Sequence, residues 1–223
     1  MRQRKIKDIE TKLLEYNHLI VSDYERERGK WRSLFLDATI GISNKGSRIF
    51  VEFGCGRGRF IRDLAKASPN DLFVGIEGSP SVIYRAAEKI QDDELKNVRF
   101  INAYVDDFSH VFADREINGL YLNFSDPWPK DRHEKRRLTA PAAVENYKKN
   151  LILGGFVAQK TDNLDFFRYS YEKFREAGFE IVEYTKDLHT SEYNEQNVLT
   201  EYEKKFINFG KKIMYFKAIN HKL

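Results

Sequence analysis

The chain has 223 residues, 41% hydrophobic and 14% aromatic, enough to bury one sizeable core with or without a short extension, which excludes a disordered chain. Thirty-eight Lys and Arg against 34 Asp and Glu leave a net charge of +4, so a nucleic-acid surface has to come from local clustering rather than bulk charge. The lone cysteine, Cys55, excludes a disulfide framework and a thiolate zinc site, and no apolar run approaches the ~18 residues of a membrane span.

The opening residues, Met1 to Lys7, are basic, meet Asp8 and Glu10 at once and lead into no apolar stretch, so they do not read as a signal peptide and a reducing cytoplasm is expected. Up to Lys45 the chain is polar and helical in propensity, with aromatics at Tyr16, Tyr24, Trp31 and Phe35. It reads as a helical extension, residues 1–45, packing on a domain of residues 46–223.

From Arg48 onward short apolar runs alternate with longer amphipathic stretches, the signature of βαβ units. Strands are predicted at Arg48 to Phe53, Leu72 to Glu77, Val98 to Asn102, Leu120 to Phe124, Gly155 to Lys160, Phe179 to Tyr184 and Lys211 to Ala218. Helices are predicted from Arg59 to Lys66 and from a Ser79-Pro80 start to Ile90. Pro141 opens a third toward Leu151, ended by Gly154-Gly155, and Asn163 or Asp165 starts a fourth that Gly178 stops. The expected fold is therefore α/β, a doubly wound and mostly parallel seven-stranded sheet. Asp187 to Asn197 lacks periodicity and reads as a long loop at the carboxyl edge of the sheet.

Val51-Glu-Phe-Gly-Cys-Gly-Arg-Gly-Arg-Phe60 puts glycines at 54, 56 and 58 between a strand and a helix, where backbone turns sharply and a ligand can approach. The spacing is G-x-G-x-G with Glu52 before it, as in S-adenosylmethionine enzymes, rather than the G-x-G-x-x-G of dinucleotide loops. Glu77 closes the second strand, where a carboxylate accepts both ribose hydroxyl protons; a tight structural turn and a surface glutamate are the plain alternative. Cys55 reads as a small filler in that loop.

The most specific stretch is Leu122-Asn-Phe-Ser-Asp-Pro-Trp-Pro-Lys-Asp-Arg-His-Glu-Lys-Arg-Arg-Leu-Thr139. Pro127 and Pro129 stiffen a turn that holds Asp126 and Trp128 at the carboxyl end of the fourth strand, where ligands of such folds bind. Lys130 to Arg137 then carries five Lys or Arg against two acids. Alone such a run reads as a solvated face; directly behind a rigid aspartate turn it reads as a phosphate footprint.

Asn123 to Thr139, with Lys160-Thr-Asp-Asn163 and Thr200-Glu-Tyr-Glu-Lys-Lys-Phe206, resembles the bacterial tRNA guanine-N7 methyltransferase family over nearly the whole chain; Gly29-Lys-Trp31 and Leu34-Phe35 add to the likeness. The resemblance implies the Rossmann-like fold of S-adenosylmethionine-dependent methyltransferases, transfer of methyl to N7 of a variable-loop guanine at tRNA position 46, and tRNA as partner. No obligate protein partner is implied, and a monomer or homodimer is expected. Cofactor contacts fall on Glu52, Gly54, Gly56, Glu77 and Tyr104, and Asp126 lies at the active centre beside both methyl donor and guanine. Lys130, Asp162, Thr200, Glu201, Tyr202 and Glu203 touch the substrate, while Arg132, His133, Glu134, Lys135, Arg136 and Arg137 grip RNA. Tyr104 is a departure, since family members carry an acidic residue there near the adenine; Asn102, Asp106 or backbone would substitute.

Guanine N7 offers an unshared pair, so no general base is required and Asp126 is expected to hold the guanine edge and offset its developing charge. N7 also lies inside folded tRNA, so the base is expected to be splayed out, with Trp128 or Tyr202 either stacking on it or serving as plain core, and Arg2, Arg4, Lys5 and Lys7 either clamping the RNA backbone or solvating a frayed end. Rival readings are an exocyclic-amine methyltransferase on nucleic acid, a non-catalytic RNA-binding protein, and a nicotinamide enzyme. The histidines at 18, 110, 133, 189 and 221 show no metal-ligand spacing, and no metal is expected.

Overall fold

A computed structural model describes residues 6–35, 47–105 and 107–221 of the chain. The expected boundary at residue 45, the proposed clamp residues Arg2, Arg4 and Lys5, and Asp106 lie outside them. The fold is the expected one, seven strands in a mostly parallel sheet with helices between them. Two compact units divide the chain, residues 1–106 and 107–223.

In the first unit β1 (Ile49–Phe53), β2 (Leu72–Ile76) and β3 (Val98–Ile101) run parallel in the order β3-β2-β1. Their side chains are buried almost throughout, as strands covered on both faces must be, which is why they read as continuous apolar runs. Two helices connect them, α2 (Arg59–Ala67) and α3 (Pro80–Asp92); α1 (Ile9–Leu14) of the N-terminal stretch packs on α3, and just beyond it Tyr16 meets Tyr84 edge to face at 5.4 Å. The stretch before β1 is less helical than expected, one six-residue α-helix and two 3-10 turns, Tyr24–Glu27 and Trp31–Phe35. It is nonetheless part of the core. Ile20 bridges Phe100 of β3, and Trp31 and Phe35 are 0% and 1% exposed.

The second unit orders its strands β4-β5-β7-β6: β4 (Ile117–Asn123) and β5 (Leu151–Thr161) parallel, β7 (Met214–Ile219) antiparallel to both β5 and the edge strand β6 (Glu180–Thr185). Helices α4 (Pro141–Asn150) and α5 (Leu164–Glu176) open on Pro141 and on Asn163, whose side chain caps the Phe166 N–H. The glycine pair does not end α4. Buried Asn150 ends it by donating to the carbonyls of Phe112 and Ala113, and β5 starts at the next residue, with Gly154 at φ +77° inside the strand where the β4 register shifts. The segment 187–197 is a pair of 3-10 turns, Leu188–Thr190 and Glu192–Gln196.

One buried ion pair ties these turns and the short helix α6 (Glu201–Phe206) to the end of β5. Lys160 Nζ meets Glu203 Oε2 at 3.1 Å, with side chains 7% and 0% exposed, and also donates to Asn197 Oδ1 and the Val198 carbonyl. Glu203 further accepts the Thr200 N–H, completing a capping box, and the Asn197 amide. Burial opposes its ionisation, but the Lys160 ammonium and these donors outweigh burial and hold its carboxyl below the usual range.

Trp31→Ala is expected to cost about 3–5 kcal/mol of unfolding free energy in urea titration, as for a fully buried core aromatic; a loss under about 1 kcal/mol would make the N-terminal stretch peripheral. Lys160→Met, which leaves the Glu203 carboxylate buried without its counter-charge, is expected to cost about 3–5 kcal/mol, and adding Glu203→Leu should recover much of it.

Candidate functional site

The glycine loop leaves β1 in the first unit. Gly54 and Gly56 stand at φ +78° and +56°, and a Cβ built on either meets nothing within 4 Å, so the turn needs glycine for its backbone and leaves open space above it. The N–H groups of Gly54 and Cys55 both reach the Ile76 carbonyl of β2. Glu77 is the loop's second anchor: its carboxylate accepts the Gly56 N–H at 3.2 Å and the Ser79 N–H at 2.8 Å. Glu77, rather than the Ser79 side chain, therefore caps the start of α3. Glu52 is 3% exposed within β1, and Cys55 is buried against Gly75, in keeping with a filler role.

Tyr104 is 83% exposed, yet its ring lies flat against Gly78, where an added Cβ would come within 2.3–2.5 Å of it. Asn102 is engaged in structure, donating its amide to the Glu77 carbonyl. Carboxylates at the ends of two strands, a glycine turn with open space and an exposed ring form a cradle suited to a nucleoside carrying hydroxyl donors and a cationic tail, the chemical make-up of S-adenosylmethionine.

In the second unit two residues stand in left-handed backbone, Phe124 at φ +53° ahead of the Asp-Pro-Trp-Pro turn and Trp128 at φ +41° within it. Non-glycine residues there cost about 1–3 kcal/mol each and persist only where surroundings hold them. Arg137 supplies that hold. Its guanidinium donates to the carbonyls of Pro127 and Trp128 at 3.0–3.2 Å and lies over the Tyr169 ring at 4.4 Å. The Tyr169 hydroxyl donates to Glu134 Oε1, and burial followed by that carboxylate pushes the phenol up to about 12. Asp126 stands exposed in the turn so held.

The basic run folds into a 3-10 turn, Asp131–Arg136, and that sorts its charges. Lys130, Arg132, Lys135 and Arg136 are exposed, Arg136 covering the Trp128 ring at 5.0 Å. His133 meets Trp128 edge-on and lies beside Arg132. Glu134 and Arg137 are half-buried and engage the Tyr169 hydroxyl and the carbonyls of Pro127 and Trp128.

Asp162 follows β5. It accepts the Tyr202 hydroxyl at 2.7 Å and the Lys211 ammonium at 2.5 Å. Partial burial opposes its charge, but Lys211 and Tyr202 prevail and lower its carboxyl below the usual range; burial and the Asp162 contact raise the Tyr202 phenol in turn. Tyr202 stacks on Phe124, joining this cluster to the start of the aspartate turn. Thr200 is the buried N-cap of α6, Glu201 is half-exposed, and Glu203 is fully buried against Lys160, so of this segment Tyr202 and Glu201 reach outward. Sequence reasoning missed Lys211, which lies 49 residues from Asp162 with no local pattern to link them.

Comparison with known proteins shows the family of the chain. A family model described as "Putative methyltransferase" matches residues 46–216. A protein of Oceanobacillus iheyensis named tRNA (guanine-N(7)-)-methyltransferase is 44% identical over 218 residues, 98% of each chain. One of the same name from Geobacillus is 42% identical over 213 residues, 96% of this chain and 93% of the other. Among solved structures, an antibiotic-related methyltransferase aligns with a TM-score of 0.57 at 18% identity over 77% of this chain and 86% of that one. A SAM-dependent methyltransferase from Aquifex aeolicus gives 0.55 at 13% over 96% and 99%. By identity and extent of match, the chain belongs to the tRNA (guanine-N(7)-)-methyltransferase family.

Proposed function

We propose that the protein transfers a methyl group from S-adenosylmethionine to N7 of a guanine in tRNA, at position 46 of the variable loop. The observation that carries the reading is identity of 42–44% to relatives named for that reaction over more than nine-tenths of the chain. The start of the family match at residue 46 supports treating residues 1–45 as an extension of the catalytic domain. A cytoplasmic enzyme working as a monomer or homodimer fits a tRNA substrate.

The bound cofactor supplies an electrophilic methyl on a sulfonium. Glu77 would accept the ribose hydroxyls, Glu52 would face the cationic part of the ligand, the backbone at Gly54 and Gly56 would let it approach, and Tyr104 would pack against the adenine. A guanine methylated at N7 carries positive charge on its ring. Asp126, held in a strained turn, offsets that charge and orients the base. Lys130, Asp162, Glu201 and Tyr202 fix the substrate, and Arg132, His133, Lys135 and Arg136 face its phosphates. No proton leaves N7, so no residue acts as a base.

The reading is tested by labelled methyl transfer to unmodified tRNA transcripts with nucleoside analysis. Label is expected in 7-methylguanosine and lost when the variable-loop guanine is replaced; label in a methylated exocyclic amine would refute it. Asp126→Ala should lower kcat about 100-fold or more while the dissociation constant for S-adenosylmethionine changes little, and equal losses in both would refute its role. Because Asp162 is held below the usual carboxylate range, its contacts are complete above the unfolded carboxylate value and are lost only as pH falls through the lower folded one. The kcat profile is therefore expected to be level from about pH 6 to 8, and a rise there with a single ionisation would indicate a base.

A further inference from the structure

Four rings run through the second unit from the carboxyl end of β4 to the surface. Phe124 stacks on Tyr202 at 4.4 Å and 29°, Tyr202 meets Phe206 at 4.4 Å and 35°, and Phe206 meets Phe209 at 6.0 Å and 51°. The column begins two residues before Asp126 and passes the Tyr202 hydroxyl held by Asp162. It ends on Phe209, 75% exposed on the 3-10 turn Ile207–Phe209.

A single exposed apolar side chain is ordinary. This one terminates a stack and lies within Lys204-Lys-Phe-Ile-Asn-Phe-Gly-Lys-Lys212, four lysines and no carboxylate in nine residues. All four lysines are exposed; Lys205 and Lys211 hold their ammonium groups 5.1 Å and 5.0 Å from the Phe206 ring, and Lys212 lies 3.7 Å from Asp187 with 76% of its side chain exposed. Rings interleaved with ammonium groups match the chemistry of an unpaired nucleic-acid strand: ring faces accept bases whatever their identity, and the cations follow the phosphates.

We propose that this column is a second RNA-contact surface, on which nucleotides beside the target guanine stack as that base is splayed out. Phe209 is the outermost platform, and Lys204, Lys205 and Lys212 line the backbone. The proposal rests on tRNA being the substrate. It accounts for where neighbouring bases regain the stacking they give up when the strand is opened.

The test uses the full chain with unmodified tRNA transcript, measuring binding from 50 to 200 mM salt together with steady-state methylation. Phe209→Ala is expected to raise both the tRNA Kd and the tRNA KM about fivefold or more at every salt concentration, leaving the salt slope and the KM for S-adenosylmethionine unchanged. Replacing Lys204, Lys205 and Lys212 together by Gln should instead reduce the slope of log Kd against log salt by about two to three. Phe209→Trp keeps a stacking face and should bind as the parent does, whereas Phe209→Leu keeps only apolar bulk and should weaken binding as Ala does, which separates stacking from a folding defect. A Phe209→Ala protein within twofold of the parent in tRNA Kd overturns the proposal while leaving the proposed reaction intact. A parent chain that neither binds nor methylates tRNA overturns both.

Discussion

The interaction on which the second unit's site depends is the buried pair of Lys160 and Glu203. Both charges are out of water, so neither tolerates loss of the other, and the two belong to segments 43 residues apart. By fixing Glu203 at the end of β5, the pair sets the first turn of α6, and with it Tyr202, one residue away. Tyr202 then meets Asp162, two residues after Lys160, and stacks on Phe124, whose own N–H reaches the Lys160 carbonyl. Phe124 after β4, Asp162 after β5 and Tyr202 of α6 are thus referred to one buried charge pair.

Around that anchor, charge is divided between holding and presenting. Arg137 and Glu134 belong to a mostly basic run, yet Arg137 bonds the carbonyls of a turn with left-handed backbone at Trp128 and Glu134 holds the Tyr169 ring beneath it, while their neighbours Arg132, Lys135 and Arg136 stay outward. The strained backbone flanks an exposed aspartate, Asp126. In the first unit Glu77 plays the comparable part, since one carboxylate anchors the glycine turn and the start of α3 and stands at the end of its strand.

The fold was legible because β1, β2 and β3 are covered on both faces and helices begin at Pro80, Pro141 and after Asn163, signals that are local in sequence. Where glycines and polar residues enter strands, as at Gly119 and Gly154-Gly155, the pattern breaks and β4 and β5 were expected shorter than they are. The glycine loop and the aspartate turn were legible because they are contiguous. The partners of Asp162 and Glu203 were not, since no periodicity links residues 40 or more apart. Lys204 to Lys212 is as basic as the run after Asp126, but its end was absorbed into an expected strand from Lys211, whereas β7 begins only at Met214 and leaves Lys211 to bond Asp162.

The proposed reaction is attack by N7 itself. A tRNA carrying 7-deazaguanosine at the variable-loop target keeps every hydrogen-bonding group of guanine except that nitrogen, so its binding and methyl acceptance measured side by side isolate the nucleophile. A Kd close to that of the ordinary transcript and no methyl incorporation are expected of attack by N7. Methyl transfer to the deaza substrate at an ordinary rate would contradict it, placing the accepting atom elsewhere on the RNA.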